Sequence, residues 1–336
     1  MHASLTLLVT EKCNIPCRHC LFGRRDLMNS GRDMPLEDAL DYVEQMAEIS
    51  AAENMSFSVR FSGGEPFLRY PEILEIIRFA RQKGAEEVGT MSNGFWGKDF
   101  ERAKGLAREL KEAGLGSVCF SFDDFHQEHI PVSTVCNAIR GCLDAGLNYQ
   151  IKCTVTKKTR RIPEVLGDLG DLLLNQSIVI QEIPCYPEGS ATTMLPAGDL
   201  FYENGIPGQP CPSGLMLAIV PDGTTFPCCG ASWNHRLVMG NAQKDSLRGL
   251  FEKMRRGSLM CMLREKGPSF FVPYYEQAGH HLQKEGYVSY CDLCRAVLTH
   301  PAFEEIEPAA AKAWRRERVT NIFGDLLGEE IDAILG

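Results

Sequence analysis

The sequence lacks the long apolar run that a membrane helix or a secretory signal requires. No stretch of its 336 residues approaches the roughly 18 consecutive apolar residues of a spanning helix. The apolar stretch 5–10 is too short for the core of a signal peptide, and no small-residue cleavage site follows it. These absences predict a cytoplasmic protein without a membrane partner.

The chain also lacks an excess of positive charge. Its 35 Lys and Arg residues are outnumbered by 44 Asp and Glu residues, which gives a net charge of −9. Binding to nucleic acid depends on Lys and Arg contacts with phosphates, so no nucleic-acid partner is expected. The basic run 157–161 is local, and a solvated helix start explains it.

Cysteine, by contrast, is abundant. The chain has 14 cysteines and no secretory signal. In a reducing cytosol, grouped thiols indicate metal binding or catalysis more often than disulfides. No internal repeat or low-complexity segment is visible, so the cysteines belong to an ordinary globular protein.

Strand-like and helix-like segments alternate up to about residue 190. The strand candidates are short and rich in Val, Ile and Phe, and the segments between them have a helical period. The predicted strands are 4–9, 55–61, 87–91, 117–122, 149–155 and 177–183, and the clearest helices are 36–49, 71–83 and 99–113. Consecutive β–α units predict an α/β fold, a partial (β/α)6 TIM-type barrel with its active site at the carboxyl ends of the strands.

The pattern changes after about residue 190. Segment 190–208 is rich in Gly, Pro and small residues, and a hairpin is predicted beyond it, with strands 215–220 and 224–226 around the turn Asp222-Gly223. Segment 303–335 is amphipathic and helical in pattern. We therefore expect a barrel in residues 1–195, a small α+β domain in 196–300 and C-terminal helices in 301–336.

Three cysteines follow the first predicted strand in one loop, Cys13, Cys17 and Cys20. Iron–sulfur cubanes normally take four cysteines, so a loop with three leaves one iron open. An open iron can chelate the amino and carboxylate groups of S-adenosylmethionine (SAM) and pass an electron to its sulfonium, which would release a 5′-deoxyadenosyl radical. A zinc site that includes His19 is the alternative, although zinc commonly uses two separated pairs of ligands.

The C-x3-C-x2-C spacing in this position resembles the signature of the radical SAM superfamily, and the likeness extends along about the first 190 residues. In that family an aromatic residue before the third cysteine contacts the adenine, and His19 stands there. The resemblance implies a SAM-binding [4Fe–4S] cluster and an electron donor such as flavodoxin or ferredoxin.

Gly63-Gly64-Glu65-Pro66 follows the second predicted strand. Two glycines let backbone approach a ligand closely, and a carboxylate can accept a hydrogen bond from an ammonium group. The segment resembles the GGE motif with which radical SAM enzymes bind the amino group of SAM, whereas by itself an ordinary turn would explain it.

Polar residues also occupy the later strands. We expect ribose, carboxylate or substrate contacts from Ser92, Asn93, Ser121, Asp123 and Lys152. An acid pair and an imidazole, Asp123-Asp124-Phe125-His126, could serve proton transfer, and a helix N-cap role for Asp124 fits equally well.

Four further cysteines provide a second set of thiolates, namely Cys211, Cys228, Cys291 and Cys294. Four thiolates can close a [4Fe–4S] cluster or hold a structural zinc ion. The spacing resembles the twitch auxiliary domain of radical SAM enzymes, a shortened SPASM domain. Because no cysteine follows Cys294, the resemblance implies a single auxiliary [4Fe–4S] cluster.

Cys228 is followed directly by Cys229. On an extended strand their side chains point to opposite faces, so only one is expected to be a ligand, and the spacing from Gly223 favours Cys228. Cys229 is then either a buried apolar thiol or a hydrogen-atom donor to a substrate radical.

Several segments together resemble the radical SAM epipeptide epimerases, which convert L-residues of a ribosomal peptide to D-residues. The segments are 92–97, 121–126, Cys211-Pro212, Pro227-Cys228-Cys229 and Cys291-x2-Cys294. In those enzymes the second thiol of the Cys-Cys pair returns hydrogen to Cα, which implies that role for Cys229. The family's acid shortly after the first auxiliary cysteine is missing from segment 212–217.

The expected substrate is accordingly a peptide, although a small molecule remains open. Dehydrogenation of a small alcohol and peptide cross-linking are alternative reactions, and a non-catalytic iron–sulfur or zinc sensor is an alternative of another class. Cys13 follows the first strand so closely that a leader-binding module before it is not expected, and a leader peptide would bind elsewhere.

Overall fold

The computed structural model describes residues 1–23, 31–174, 178–228, 234–282 and 286–323. Within these ranges the first six strands are parallel and lie side by side in chain order. They are β1 (His2–Thr10), β2 (Ser56–Gly63), β3 (Glu87–Ser92), β4 (Ser117–Ser121), β5 (Asn148–Val155) and β6 (Val179–Pro184). This confirms the predicted α/β fold with a partial (β/α)6 barrel.

Helices connect the parallel strands. They are α1 (Leu36–Ala52), α2 (Tyr70–Gln82), α3 (Phe100–Ala113), α4 (Asp124–Gln127), α5 (Val132–Asp144) and α6 (Ile162–Leu169). Short 3-10 turns lie at Pro66–Arg69, Phe95–Lys98 and Gly170–Leu174. Local signals explain the ends of α3, because the Asp99 side chain accepts from the Arg102 N–H and Gly114 ends the helix with φ +105°.

The two faces of the parallel sheet differ in polarity. Leu5, Val59 and Val88 are register partners with no exposed surface, and they share one hydrophobic core with the inner faces of the helices. The strand residues that alternate with these buried ones, such as Arg60 and Lys152, have exposed surface on the other face of the sheet. Because strand side chains alternate between faces, a polar, solvent-accessible inner face lies opposite the helices.

The C-terminal part adds to the same sheet. After α7 (Ala191–Met194) and β7 (Glu203–Asn204), β8 (Leu215–Ile219) pairs parallel with β1 and antiparallel with β9 (Thr224–Phe226), and β9 pairs with β10 (Gly240–Asn241). The predicted hairpin is therefore confirmed. Its docking beside β1 was not predicted, and the domain boundaries at 195 and 300 stay predictions.

The remaining elements are mostly helical. They are α8 (Leu247–Arg256), α9 (Ser258–Lys266), α10 (Val272–Gln277), β11 (Gly286–Tyr287), α11 (Tyr290–Thr299) and α12 (Phe303–Phe323). The short strand β11 pairs with β7. Further 3-10 turns lie at Ala197–Asp199, His235–Leu237 and Pro268–Phe271. None of the helices in the described ranges combines the length and the hydropathy that crossing a bilayer requires.

Polar contacts attach this part to the barrel. Arg255 of α8 pairs with Glu53 at the end of α1, with 2.7 Å between Nη1 and Oε2. The backbone N–H of Leu247 donates to Oε1 of Gln45 at 2.9 Å. The helix after the hairpin is thereby held against the first helix of the barrel.

Two glycines in packed helices give opposite predictions. A Cβ at Gly105 of α3 would meet no atom within 4 Å, whereas a Cβ at Gly141 of α5 would lie 2.9 Å from the carbonyl carbon of Ala103. Alanine is better than glycine inside a helix by about 1 kcal/mol, so Gly105→Ala should raise the free energy of unfolding by that amount. Gly141→Ala should lower it by roughly 1–2 kcal/mol, because overlap with backbone outweighs the gain in propensity.

Urea unfolding of both variants measures the difference. The two substitutions are chemically identical and both lie in helices, so they control for each other. Equal shifts in the same direction would mean that α3 and α5 do not pack closely at Gly141.

Candidate active site

The loop with Cys13, Cys17 and Cys20 begins at the end of β1 and is held by the segment that returns after it. The Glu11 N–H donates to the carbonyl of Arg32 at 2.8 Å. Asp33 accepts from the Thr10 hydroxyl and from Nζ of Lys12, both at 2.6 Å. Burial works to raise the pKa of Asp33, but these hydrogen bonds outweigh it and the pKa is lowered. The ionised carboxylate therefore anchors the start of the loop.

The three thiols are close enough to affect one another. Cys17 is buried, and Cys13 and Cys20 are partly buried. Burial raises the pKa of Cys13 to about 12, and negative charge on Glu65, Cys17 and Cys20 adds to the effect. Thiolates in such a place need a bound cation to compensate their charge.

The spacing of these sulfurs is wider than the ligands of a single zinc ion require. Within the described ranges, the three sulfur atoms do not all lie within 4.8 Å of one another. Tetrahedral zinc with bonds of about 2.3 Å would bring its sulfur ligands to about 3.8 Å from each other. In a cubane each cysteine binds a different iron, so the cysteine sulfurs are farther apart than around one zinc ion.

Gly63 and Gly64 lie directly against the start of the cysteine loop. The Gly64 N–H donates to the Thr10 carbonyl at 2.8 Å, and the Glu65 N–H donates to the Lys12 carbonyl at 2.9 Å. A Cβ at Gly63 would overlap the Thr10 carbonyl, and one at Gly64 would overlap that of Lys12. Gly63 also has φ +132°, a conformation that favours glycine. The sequence suggested a close approach to a ligand, and the structure shows one to the backbone of the cysteine loop.

Glu65 is a buried carboxylate with three protein donors. It is 1% exposed. Its Oε1 accepts from the Phe67 N–H at 3.1 Å and from the Ser92 hydroxyl at 3.0 Å, and its Oε2 accepts from the Asn93 N–H at 2.7 Å. Burial raises its pKa to about 7 in spite of these bonds. An ionised carboxylate offers about four acceptor positions, so one is left for the ammonium group of a ligand.

Ser92 and Asn93 follow the third strand and contact both Glu65 and the cysteine loop. The Asn93 amide nitrogen donates to Oδ1 of Asn14 in the cysteine loop at 2.8 Å. The Ser92 hydroxyl also accepts from the indole N–H of Trp96 at 3.1 Å. The residues predicted to contact ribose thus hold Glu65 and the cysteine loop in place. Pro66 is buried and starts the 3-10 turn after Glu65.

Asp123 and His126 form a second buried polar group. Asp123 is 1% exposed. Its Oδ1 lies 2.8 Å from Nδ1 of His126, and its Oδ2 accepts from the Thr154 N–H at 3.1 Å. Burial works to raise the pKa of Asp123, but the charge and hydrogen bond of His126 lower it to about 2. Asp123, rather than Asp124, is the N-cap of α4.

His126 also reaches the cysteine loop. The ligand atoms of Cys17, His19 and His126 lie within 4.8 Å of one another. His19 stacks on Phe125 with ring centroids 4.6 Å apart. Burial, together with the nearby charge of His126, lowers the pKa of His19 to about 4. The sequence marked His126 for proton transfer but gave no sign of its contact with Cys17.

Ser121 and Lys152 are register partners on β4 and β5. Both are partly exposed and lie on the polar face of the sheet, opposite the helices. Burial raises the pKa of nearby Cys119, and the charge of Lys152 opposes that rise. A cation and a hydroxyl thus face the open side of the barrel, where a substrate has access.

A cavity of about 290 Å³ opens beside Gly63 and Gly64. Its walls come from the ends of β1 and β2, the residues after Cys20 and the turn between β8 and β9. Arg32 crosses one side of it, bonded to Asp222 at 2.7 Å and to Glu11 at 3.1 Å. The cavity therefore lies where the cysteine loop meets the hairpin.

The second set of cysteines lies around the hairpin and α11. The Cys211 N–H donates to the carbonyl of Leu263 at 2.9 Å, and Cys228 lies two residues after β9. Cys291 and Cys294 are in the first half of α11, whose N-cap Ser289 accepts from the Cys291 N–H. In the described part of the chain, no three of these sulfurs lie within 4.8 Å of one another. Cys229 lies outside the described residues.

The chain is similar to many known proteins, among them two matched by sequence and one matched by structure. "Putative peptide biosynthesis protein YydG" of Bacillus subtilis strain 168 is 21% identical over 276 residues, which cover 80% of this chain and 82% of that protein. GTP 3′,8-cyclase of Moorella thermoacetica is 27% identical over 214 residues, or 58% of this chain and 61% of the cyclase, so less than two thirds of the cyclase is spanned. Native anSMEcpe with bound AdoMet and Cp18Cys peptide has a similar fold, with a TM-score of 0.52, 16% identity and coverage of 92% and 99%.

The family model "Radical SAM superfamily" matches residues 7–153. That segment runs from β1 into β5 and contains the cysteine loop, the two glycines beside it and both buried carboxylates. Members of the family use SAM and a [4Fe–4S] cluster, which agrees with the three-thiol loop. The chain is therefore an enzyme that contains a radical SAM domain, matched over residues 7–153.

Proposed function

We propose that this radical SAM enzyme modifies a ribosomally made peptide and converts L-residues of that peptide to D-residues at Cα. The observation that carries the peptide assignment is the similarity to YydG over most of both chains, since YydG is described as a peptide biosynthesis protein. The peptide bound to anSMEcpe, whose fold is similar, supports a peptide substrate. The pair Cys228-Cys229 supports epimerisation as the reaction.

The cofactors would be held as follows. Cys13, Cys17 and Cys20 ligate a [4Fe–4S] cluster, the free acceptor position of Glu65 takes the ammonium group of SAM, and His19 lies beside the adenine. Remaining contacts to SAM or substrate would come from Gly63, Gly64, Pro66, Ser92, Asn93, Ser121 and Lys152. When bound and reduced by flavodoxin or ferredoxin, the cluster supplies the electron that cleaves SAM to the 5′-deoxyadenosyl radical.

Cys229 would complete the epimerisation. After the 5′-deoxyadenosyl radical has taken the hydrogen atom from Cα and become 5′-deoxyadenosine, the thiol of Cys229 would give its hydrogen atom to the opposite face of the carbon. The sulfur radical left behind then needs one electron, and one proton from solvent, to become a thiol again. An auxiliary cluster on Cys211, Cys228, Cys291 and Cys294, next to it in the chain, is the proposed source of that electron.

The substrate would enter the cavity beside Gly63 and Gly64. This cavity adjoins the cysteine loop on one side and the strand that leads to Cys228 on the other. A residue held there is between the cysteine loop and the strand that leads to Cys228. Phe22, Val220 and Phe226 give the cavity an apolar part, and Glu11, Arg32 and Asp222 give it a charged rim.

One observation favours a second candidate reaction. Segment 212–217 after Cys211 has no acid, where the epipeptide epimerases carry one. Dehydrogenation of a small alcohol or cross-linking of a peptide would each remove two hydrogens from the substrate. In either reaction the auxiliary cluster would accept the second electron.

SAM binding tests whether Glu65 holds the amino group of SAM. Glu65→Gln should weaken SAM binding to the reconstituted enzyme about tenfold or more, because a hydrogen bond to a charged group is worth about 1.5–3 kcal/mol. Because the carboxylate must be ionised and burial raises its pKa to about 7, wild-type affinity should fall as the pH drops through 7. The variant should not show that fall.

Anaerobic calorimetry of SAM binding measures both effects. The titrations run from about pH 6 to about pH 8.5, which extends roughly one pH unit or more to each side of that pKa. Glu75→Gln, an exposed glutamate on α2, is the matched control and should bind SAM like the wild type. A wild-type affinity without pH dependence would contradict the direct contact.

Solvent deuterium tests the reaction itself. With peptides encoded beside the gene, the wild-type enzyme in D2O should yield a D-residue that carries one deuterium at Cα. Cys229→Ala should still cleave SAM but should form no D-residue, because the donor thiol is gone. Mass spectrometry and chiral amino-acid analysis measure the outcome.

Cys261→Ala is the control, since Cys261 lies in α9 and bonds the carbonyl of Arg255. A product that has lost two hydrogens and gained no deuterium would mean that the reaction is dehydrogenation or cross-linking and not epimerisation. An unchanged yield of D-residue from Cys229→Ala would rule out Cys229 as the donor.

The cavity gives a prediction about the substrate. Val220→Trp places a large ring in the cavity and should raise the KM for the peptide at least tenfold, with a smaller change in kcat. Val179→Trp makes the same change on an exposed residue at the start of β6, at the opposite end of the strands, and should leave KM unchanged. Steady-state assays of both variants are the measurement, and equal KM values would place the peptide elsewhere.

A further inference from the structure

We propose that His126, oriented by Asp123, donates a hydrogen bond to the sulfur of Cys17 and thereby raises the reduction potential of the cluster held by Cys13, Cys17 and Cys20. The proposal rests on the proposed function in one respect, namely that Cys17 is a cluster ligand. His126 is then a positioning and tuning residue that does not itself contact SAM or substrate.

The first step is that Asp123 gives the imidazole a single orientation. Asp123 is buried at the end of β4, and its Oδ1 accepts from both the backbone N–H of His126 at 3.1 Å and the ring Nδ1 at 2.8 Å. Its Oδ2 is held by the Thr154 N–H of β5 at 3.1 Å. Because the carboxylate is an acceptor only, Nδ1 must carry the hydrogen of that bond.

The second step is that the other side of the ring faces the cysteine loop. The ligand atom of His126 lies within 4.8 Å of the sulfur of Cys17, and since Nδ1 is bound to Asp123, Nε2 is the ring nitrogen left to donate to that sulfur. The ring is enclosed, since its side chain is 14% exposed and His19 packs edge-on against it at a centroid distance of 4.9 Å. When Cys17 is a thiolate it can only accept, so Nε2–H is the donor.

The third step is electrostatic. Reduction adds one negative charge to a cluster, and a donor aimed at a ligand sulfur stabilises the more negative state more strongly. Hydrogen bonds to the sulfurs and the partners behind the ligands are known means of setting the potential of such clusters. Loss of the His126 bond should therefore lower the potential.

The same atoms allow a competing explanation. Cys17, His19 and His126 could together ligate a single ion such as zinc, with Asp123 orienting His126 as carboxylates orient zinc-bound histidines. In that case substitution of His126 would change the content of zinc and would leave the potential of a cluster unaffected.

The test is a redox titration of the reconstituted enzyme, followed by electron paramagnetic resonance. His126→Phe keeps a ring against His19 but removes the donor. We expect it to shift the reduction equilibrium at least tenfold toward the oxidised cluster, about 59 mV for a one-electron couple, with unchanged iron and sulfide. His129→Phe, the same change at an exposed residue three positions on, should keep the wild-type potential.

An unchanged potential in a fully loaded His126→Phe variant would overturn the proposal, as would loss of bound zinc in place of a potential shift. If that variant does not assemble a cluster, a measurement on the wild-type enzyme tests the proposal instead. Electron–nuclear double resonance of its reduced cluster, with 15N-histidine, should show a nitrogen coupling and an exchangeable proton, and both should persist in His19→Phe. Absence of this coupling would equally overturn the proposal.

Failure of this inference is distinguishable from failure of the proposed function. If Cys17→Ala still assembles a cluster that cleaves SAM, the ligand assignment itself is wrong. If Cys17→Ala loses the cluster and His126→Phe keeps its potential, only the hydrogen bond proposed here is wrong.

Discussion

The site depends on one close contact between two pieces of backbone. Backbone N–H groups of residues 64 and 65, at the end of β2, donate to the carbonyls of residues 10 and 12 at the start of the cysteine loop, and there is no room for a Cβ between the two segments. Any side chain at Gly63 or Gly64 would push the cysteine loop away from the sheet. Through this contact the position of the three thiols is set by the rigid parallel sheet and not by the loop itself.

Two buried carboxylates extend this arrangement across the strand ends, and their surroundings give them different properties. Glu65 has only neutral donors around it, so burial dominates and its pKa rises to about 7. Asp123 has the imidazole of His126 beside it, and that charge outweighs burial and lowers the pKa to about 2. The first is suited to receiving a positive group from a ligand, whereas the second is already paired within the protein.

The hairpin makes the C-terminal part a component of the same site. Because β8 pairs with β1, the turn that carries Asp222 reaches the cysteine loop and is joined to it through Arg32. The cavity between them is formed by both parts of the chain. A substrate in this cavity would be in contact with the loop after Cys20 and with the turn that precedes Cys228.

The sequence by itself determined what depends on local order. Periodicity and turn residues located the six parallel strands, the first three long helices and the hairpin, because these follow from neighbouring residues. Spacing alone brought Cys13, Cys17 and Cys20 into one loop. Tertiary structure decided which distant groups meet: that Gly63 and Gly64 accommodate backbone, that Ser92 and Asn93 hold Glu65, that His126 reaches Cys17, and that β8 joins β1. The reason is physical, since each of these contacts joins segments far apart in the chain, and no local pattern of side chains encodes where a folded sheet will bring them.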